Sequence, residues 1–305
     1  MPQDGHEESA DGRPQSSTSA DRGWNSMFAV PDGVKKVFRR FPLVTYPSNQ
    51  LPSRSPVRDN IHNLYIWTTA EDAKNGIASF NPSCLKWQTY LKFSDVSFRT
   101  IPSSNHASPS GALPFLLPAA QSPSTTTAPA PIKSSKIESW ARQHSQKEPS
   151  TTHAQADIYT SLLDNEIRRA WLYMLYVLPE NFSAIVQPLY VLPSSSNTFV
   201  QFALARQLRS AAQDELLKGA THFSEEDTIS QARDALAALS TLLGEDEWFF
   251  GEKEPGLFDA SVFAYTHLLL DEELGWKENK LEESLREHGN LVAHRERIRE
   301  AYYQT

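Results

Sequence analysis

The one cysteine of the chain, Cys84, follows Asn81-Pro82-Ser83, where asparagine can cap a helix and proline stands just inside its first turn. A thiol there meets the positive end of the helix dipole, which lowers its pKa and makes it a nucleophile. Tyr65, Thr68 and Thr69, at the end of a β-rich run, add three hydroxyls to the candidate groups. A second reading stands beside this one: Cys84 shares a helical face with Trp87 and Leu91 and is a buried, inert core residue. With no second cysteine there is no CxxC pair, no internal disulfide and no thiolate metal site. The histidines show no HxxxH spacing, and neither a GxSxG elbow nor a GxxxxGK phosphate loop occurs. His267 and His294 fall within helical patterns, as interior or surface groups rather than ligands.

The formal charge of −8 argues against nucleic acid, which is bound by basic patches that neutralise phosphates. The longest apolar run, Ala170 to Leu178, stops at Pro179, short of the roughly 20 residues a membrane-spanning helix needs. Asp4, Glu7, Glu8 and Asp11 give the N-terminus neither an apolar signal core nor the acid-poor character of a transit peptide, so no cleaved signal is expected. A single cysteine fits a reducing compartment, and a cytosolic or cytosol-facing location follows as the expectation.

The elements that would position these groups form an α/β part followed by an all-α part. Residues 1–60 read as a disordered extension. Within it, a short amphipathic segment at 34–41 sets Val34, Val37, Phe38 and Phe41 opposite Lys35, Lys36, Arg39 and Arg40. That segment either packs on its own domain or meets anionic lipid or a membrane partner. Residues 61–147 should hold a strand at 64–68, a helix from the Asn81 cap to about Phe93, and an alternating strand at 96–101. Pro114 then starts an apolar edge strand, and its Leu-Pro bond is a candidate cis peptide. A low-complexity insertion at 118–131 leads to a strand near Ile132 and a helix with Ile137, Trp140, Ala141 and His144 on one face. The order β-α-β, β-β-α is that of a thioredoxin-like domain.

Residues 154–305 are helical. Tyr159 through Leu178 recur at three and four, and the apolar stretch 182–192, broken by Pro188, fits neither helix nor strand. Helices follow at Thr198–Lys218 and from Ser224-x-x-Asp227 to Gly244. A further one starts near Gly256, with Asp259 at the back-capping position and no hydroxyl at Gly256 to complete the reciprocal cap.

Cys84 through Phe93, SPSGALPF at 108–115, WFFGEKEPGLFDASVFAYTHLLL at 248–270 and NLVAHRERIREAYY at 290–303 together resemble the metaxin family, over the chain from Leu64 onward. Within that family, the PFL after the proline and the WFF before the cap look most like the second metaxin and its fungal counterpart. The resemblance implies a thioredoxin-like domain plus a helical domain like that of glutathione transferases. It also implies a non-enzymatic peripheral subunit, without cofactor, on the cytosolic face of the mitochondrial outer membrane. That subunit belongs to the sorting and assembly machinery, with a β-barrel assembly subunit, a second metaxin-like subunit and β-barrel precursors as partners. The alternative is a glutathione-transferase-like enzyme or thiol-binding protein. Such a protein needs an acid-serine pair, and Glu138-Ser139 looks like one. Counting back from Ile137, however, puts Lys133-Ser134 there, reversing the charge that meets glutathione's ammonium. Cys84 also lacks the following proline of the cysteine-type transferases.

Overall fold

A computed structural model describes residues 61–119, 130–145, 147, 156–218 and 223–303. The basic segment with Lys35, Lys36, Arg39 and Arg40, and most of the 118–131 insertion, lie outside them. The described residues form one compact unit, in which the sheet part and the helical part share a single apolar core.

The four strands are β1 (His62–Ile66), β2 (Phe98–Pro102), β3 (Phe115–Leu117) and β4 (Ile132–Lys133), in the spatial order β2-β1-β3-β4. β1 runs parallel to β2, with Leu64 opposite Thr100, and antiparallel to β3, with Leu64 opposite Leu116. The Leu113–Pro114 bond is cis, as the sequence suggested. The expectation of an edge strand fails, because β3 lies between β1 and β4. Pro114 stands immediately before the paired residues, so its missing N–H removes no ladder bond and leaves the strand free to be interior. β1 ends two residues earlier than predicted because Thr69 is used as a cap. Its hydroxyl accepts from Asp72 N–H (3.1 Å) at the start of α1 (Ala70–Asn75), a helix the sequence reading omitted. β2 begins later than predicted. Val96 N–H still closes onto Leu91 (3.1 Å), and Asp95 turns the chain with φ of 52°.

α2 (Pro82–Phe93) is capped by Asn81, whose side chain accepts from Cys84 N–H (3.2 Å). α3 (Ser134–His144) buries Ile137 and Ala141. His144 is exposed rather than packed, and its ring stacks on Trp140 at 4.3 Å.

α4 (residues 156–177) is one helical run whose turns widen at Leu163–Ile167 and Tyr173–Val177. Leu178 breaks it, and α5 (residues 179–191) follows. Most of α5, Phe182–Val191, is wide-turn helix with Pro188 inside. A proline ring clashes with the carbonyl four residues back in a normal helix, which is why this stretch defied assignment; the wider turn accommodates the ring. α6 (Thr198–Leu216), α7 (Glu225–Leu243), α8 (Leu257–Leu269), α9 (Glu282–Glu287) and α10 (Gly289–Tyr302) complete the bundle. Among the described residues no helix is long and apolar enough to cross a membrane.

α8 is the axle, packing on α2 on one side and on α10 on the other. Its start is fixed by Asp259, 2% exposed. Oδ2 accepts from Gly256 N–H (2.8 Å), and Oδ1 accepts from Phe249 N–H (3.0 Å). The same Oδ1 lies 3.0 Å from Nε2 of the fully buried His294 on α10. Oδ1 has no proton to give, so the imidazole is the donor of that pair. The sequence reading gave Asp259 one capping bond; it makes three, on three separate segments.

Replacing Asp259 with alanine leaves three buried donors without a partner and should lower unfolding stability by about 3–5 kcal/mol. Urea denaturation of Asp259→Ala beside Asp259→Asn checks this. The asparagine variant should lose less, and a loss below about 1 kcal/mol for alanine would mean the network is not what holds α8.

Candidate functional site

The best place for nucleophilic chemistry is the start of α2, and it is filled from within. Cys84 is fully buried. Its sulfur meets the N–H of Trp67 at 3.4 Å, yet burial outweighs this bond and pushes the thiol from 9.0 up to about 12. The loop before α2 is stitched down by Gln88, which accepts from Ser79 N–H (2.9 Å) and donates to the Ile77 carbonyl (2.8 Å). Over this loop sits Tyr190 of α5, its ring 4.9 Å from Trp67 and 5.1 Å from Phe80. Asn81 donates to the Tyr190 hydroxyl (3.3 Å), which donates in turn to the Phe80 carbonyl (3.4 Å). Tyr190 is itself buried, and that burial raises its pKa well above the usual phenol value.

The other candidate hydroxyls do not converge there. Thr69 serves α1 as its cap, Tyr65 stacks flat on Phe115 at 4.4 Å, and the half-buried Thr68 reaches the adjacent Thr69 carbonyl. Lys133 is the residue at the cap of α3 and Ser134 its first residue. Glu138 lies a turn further in and pairs with Arg142 at 2.7 Å. The residue that caps α3 is thus a cation. His267 is stacked on Phe263 at 5.0 Å and held neutral, its pKa lowered to about 3 mainly by burial. Among the described residues no cluster of His, Cys, Asp and Glu could hold a metal ion.

Open space lies elsewhere. A cleft of about 200 Å³ between the sheet part and the helices is lined by Lys86, Tyr90, Glu138, Asp157 and Phe250, and a smaller one of about 160 Å³ adjoins it past Lys86. Both fall below the roughly 300 Å³ at which ligand pockets begin. Burial lowers the pKa of Lys86, while Asp164 and Glu138 oppose the shift. The larger hollow, about 460 Å³, is an open groove on α6. No local pattern could have found the Tyr190 cover, because it arrives from a different element; α1 was legible in Thr69-x-x-Asp72 followed by Gly76.

The mixed sheet with its cis-proline, followed by a helical bundle, defines a glutathione-transferase-like protein. The "Glutathione S-transferase N-terminal domain" family matches residues 82–181, and the "Glutathione S-transferase, C-terminal domain" family matches residues 232–298. A solved glutathione S-transferase of Ceriporiopsis subvermispora, in complex with glutathione, superposes with a TM-score of 0.50 over 80% of this chain and 98% of that one; at 15% identity it shows the fold alone. Metaxin-1 of Mus musculus is 27% identical over 240 residues, covering 75% of this chain and 72% of that protein. Metaxin-1 of Sus scrofa is 30% identical over 152 residues, 48% of this chain and 46% of that protein. The chain is thus similar in sequence to metaxin-1. Its match spans 46% of metaxin-1 of Macaca fascicularis and 32% of that of Homo sapiens, half or less of these relatives' length. These relatives are named metaxin-1, so they support the family and not the second-metaxin branch that PFL and WFF suggested.

A thiol at about 12 is ionised in about one molecule in ten thousand at pH 8. Ellman's reagent should therefore find no thiol in the folded protein and one in denaturant; rapid native labelling would contradict the burial. Burial favours the neutral thiol, so its contribution to stability is fully present below the unfolded value of 9.0 and is lost as pH rises towards about 12. Urea midpoints should fall across that window.

Proposed function

We propose that this protein is a non-enzymatic peripheral subunit at the cytosolic face of the mitochondrial outer membrane, helping the sorting and assembly machinery accept and insert β-barrel precursors. Its partners in this reading are the barrel assembly subunit, a second metaxin-like subunit and the precursors. Assignment to the branch of the second metaxin is part of the proposal. The observation that carries it is the Tyr190-covered start of α2: the scaffold of a glutathione transferase is kept while its thiol position is sealed. Lys133 at the cap of α3 points the same way, since it would repel the ammonium of a bound glutathione. Fold and function are separable, and a site closed this way leaves the outer faces of the molecule as its working parts.

In fractionated cells the protein should co-purify with the outer-membrane barrel machinery and be released by alkaline carbonate. A freely cytosolic pool, or one that resists carbonate, would overturn the proposal.

A further inference from the structure

Helix α6 presents a face that nothing in the described structure covers. Phe199 is 87% exposed and Phe202 72%, with Val200 at 49% beside them and Leu192 at 54% in the turn that leads into the helix. Scattered single apolar residues need no explanation; two nearly bare phenylalanines on one helical turn do. Phe199, Phe202, Arg206 and Arg209 follow at spacings of three and four, so they share a face. Among the described residues neither Arg206 nor Arg209 has an ion-pair partner; Arg209 is instead steadied by lying 3.8 Å from the centre of the Phe182 ring. Beside them runs the open groove of about 460 Å³, lined by Gln187, Arg206, Arg209, Ser210 and Gln213 as well as the two phenylalanine rings of positions 182 and 202.

The charge pattern selects the occupant. The chain carries a formal charge of −8, yet from Asn181 to Gln213 it has no acidic residue and its charges are Arg206 and Arg209. An anionic surface would be repelled by the molecule in general and admitted along this face. A second copy docked by a two-fold axis would instead bring the same arginines towards their own duplicates. We infer that α6 docks on an anionic phospholipid bilayer, with Phe199, Phe202 and Val200 entering the acyl boundary and Arg206 and Arg209 taking lipid phosphates at the groove. The two sets are about seven residues apart, or about 10 Å along the helix, so with the N-terminal end of α6 tilted into the bilayer the arginines stay at the level of the headgroups. This deepens the peripheral attachment proposed above and rests on it.

The test is flotation of the full chain with vesicles of phosphatidylcholine, alone or doped with phosphatidylserine. The wild type should float with the doped vesicles, less so as salt rises, and should not float with phosphatidylcholine alone. Phe199→Ser with Phe202→Ser should abolish flotation. Arg206→Glu with Arg209→Glu should weaken it at least tenfold at unchanged circular dichroism, given the contribution of each basic group near such a surface. A parallel variant reversing Lys35, Lys36, Arg39 and Arg40 to Glu separates the N-terminal segment. If that variant alone loses flotation while the α6 variants keep it, the inference falls. It also falls if the wild type does not float, or if light scattering shows a dimer that the phenylalanine variant dissociates. Absence of flotation together with continued co-purification with outer membranes would overturn this inference and leave the assembly role standing.

Discussion

The molecule depends on one buried carboxylate. Asp259 gathers the backbone of Phe249, the backbone of Gly256 and the ring of His294 around two oxygen atoms, and so joins a loop, the start of α8 and the middle of α10. A buried carboxylate is costly unless each oxygen is satisfied, and that cost makes the arrangement selective: only the native alignment of the three segments supplies all three donors. Gly256 contributes nothing back, having no side chain, so the single acid carries the junction that a reciprocal cap would share. Trp248 and Phe249 flank His294 at 5.8 and 5.2 Å and keep water from competing for the bonds.

Once α8 is set, the sheet part follows, because α8 is packed on α2. The start of α2 lies where a thioredoxin-like domain would show reactive chemistry, and here it is under three layers of closure. Gln88 pins the preceding loop, Asn81 caps the helix, and Tyr190 crosses from α5 to lie over both. The dipole that could have activated Cys84 is still present, but burial wins by moving the thiol to about 12. The similarity to metaxin-1 and the family matches for both transferase halves are thus compatible with a scaffold whose α2 start is packed from within.

What the sequence disclosed was local. The helix caps at Asn81 and Ser224, the cis bond at Pro114 and the acid at Asp259 are each written in three or four adjacent residues, and each is where its pattern places it. What stayed hidden was long-range. That Asp259 meets His294, that Tyr190 covers the α2 start and that β3 is interior all depend on partners brought in by the fold. The stretch 182–191 was illegible for a different reason: Pro188 argues against a helix, and the widened turn that admits it has no sequence signature. α1 is local as well, for Thr69, Asp72 and Gly76 spell it out.

The central claim is that the thiol-peptide site of this scaffold is closed, and calorimetric titration with glutathione tests it most directly. At millimolar glutathione the account predicts only heats of dilution. A saturable heat that disappears in Cys84→Ser or Thr68→Ala would contradict it and restore the enzyme reading.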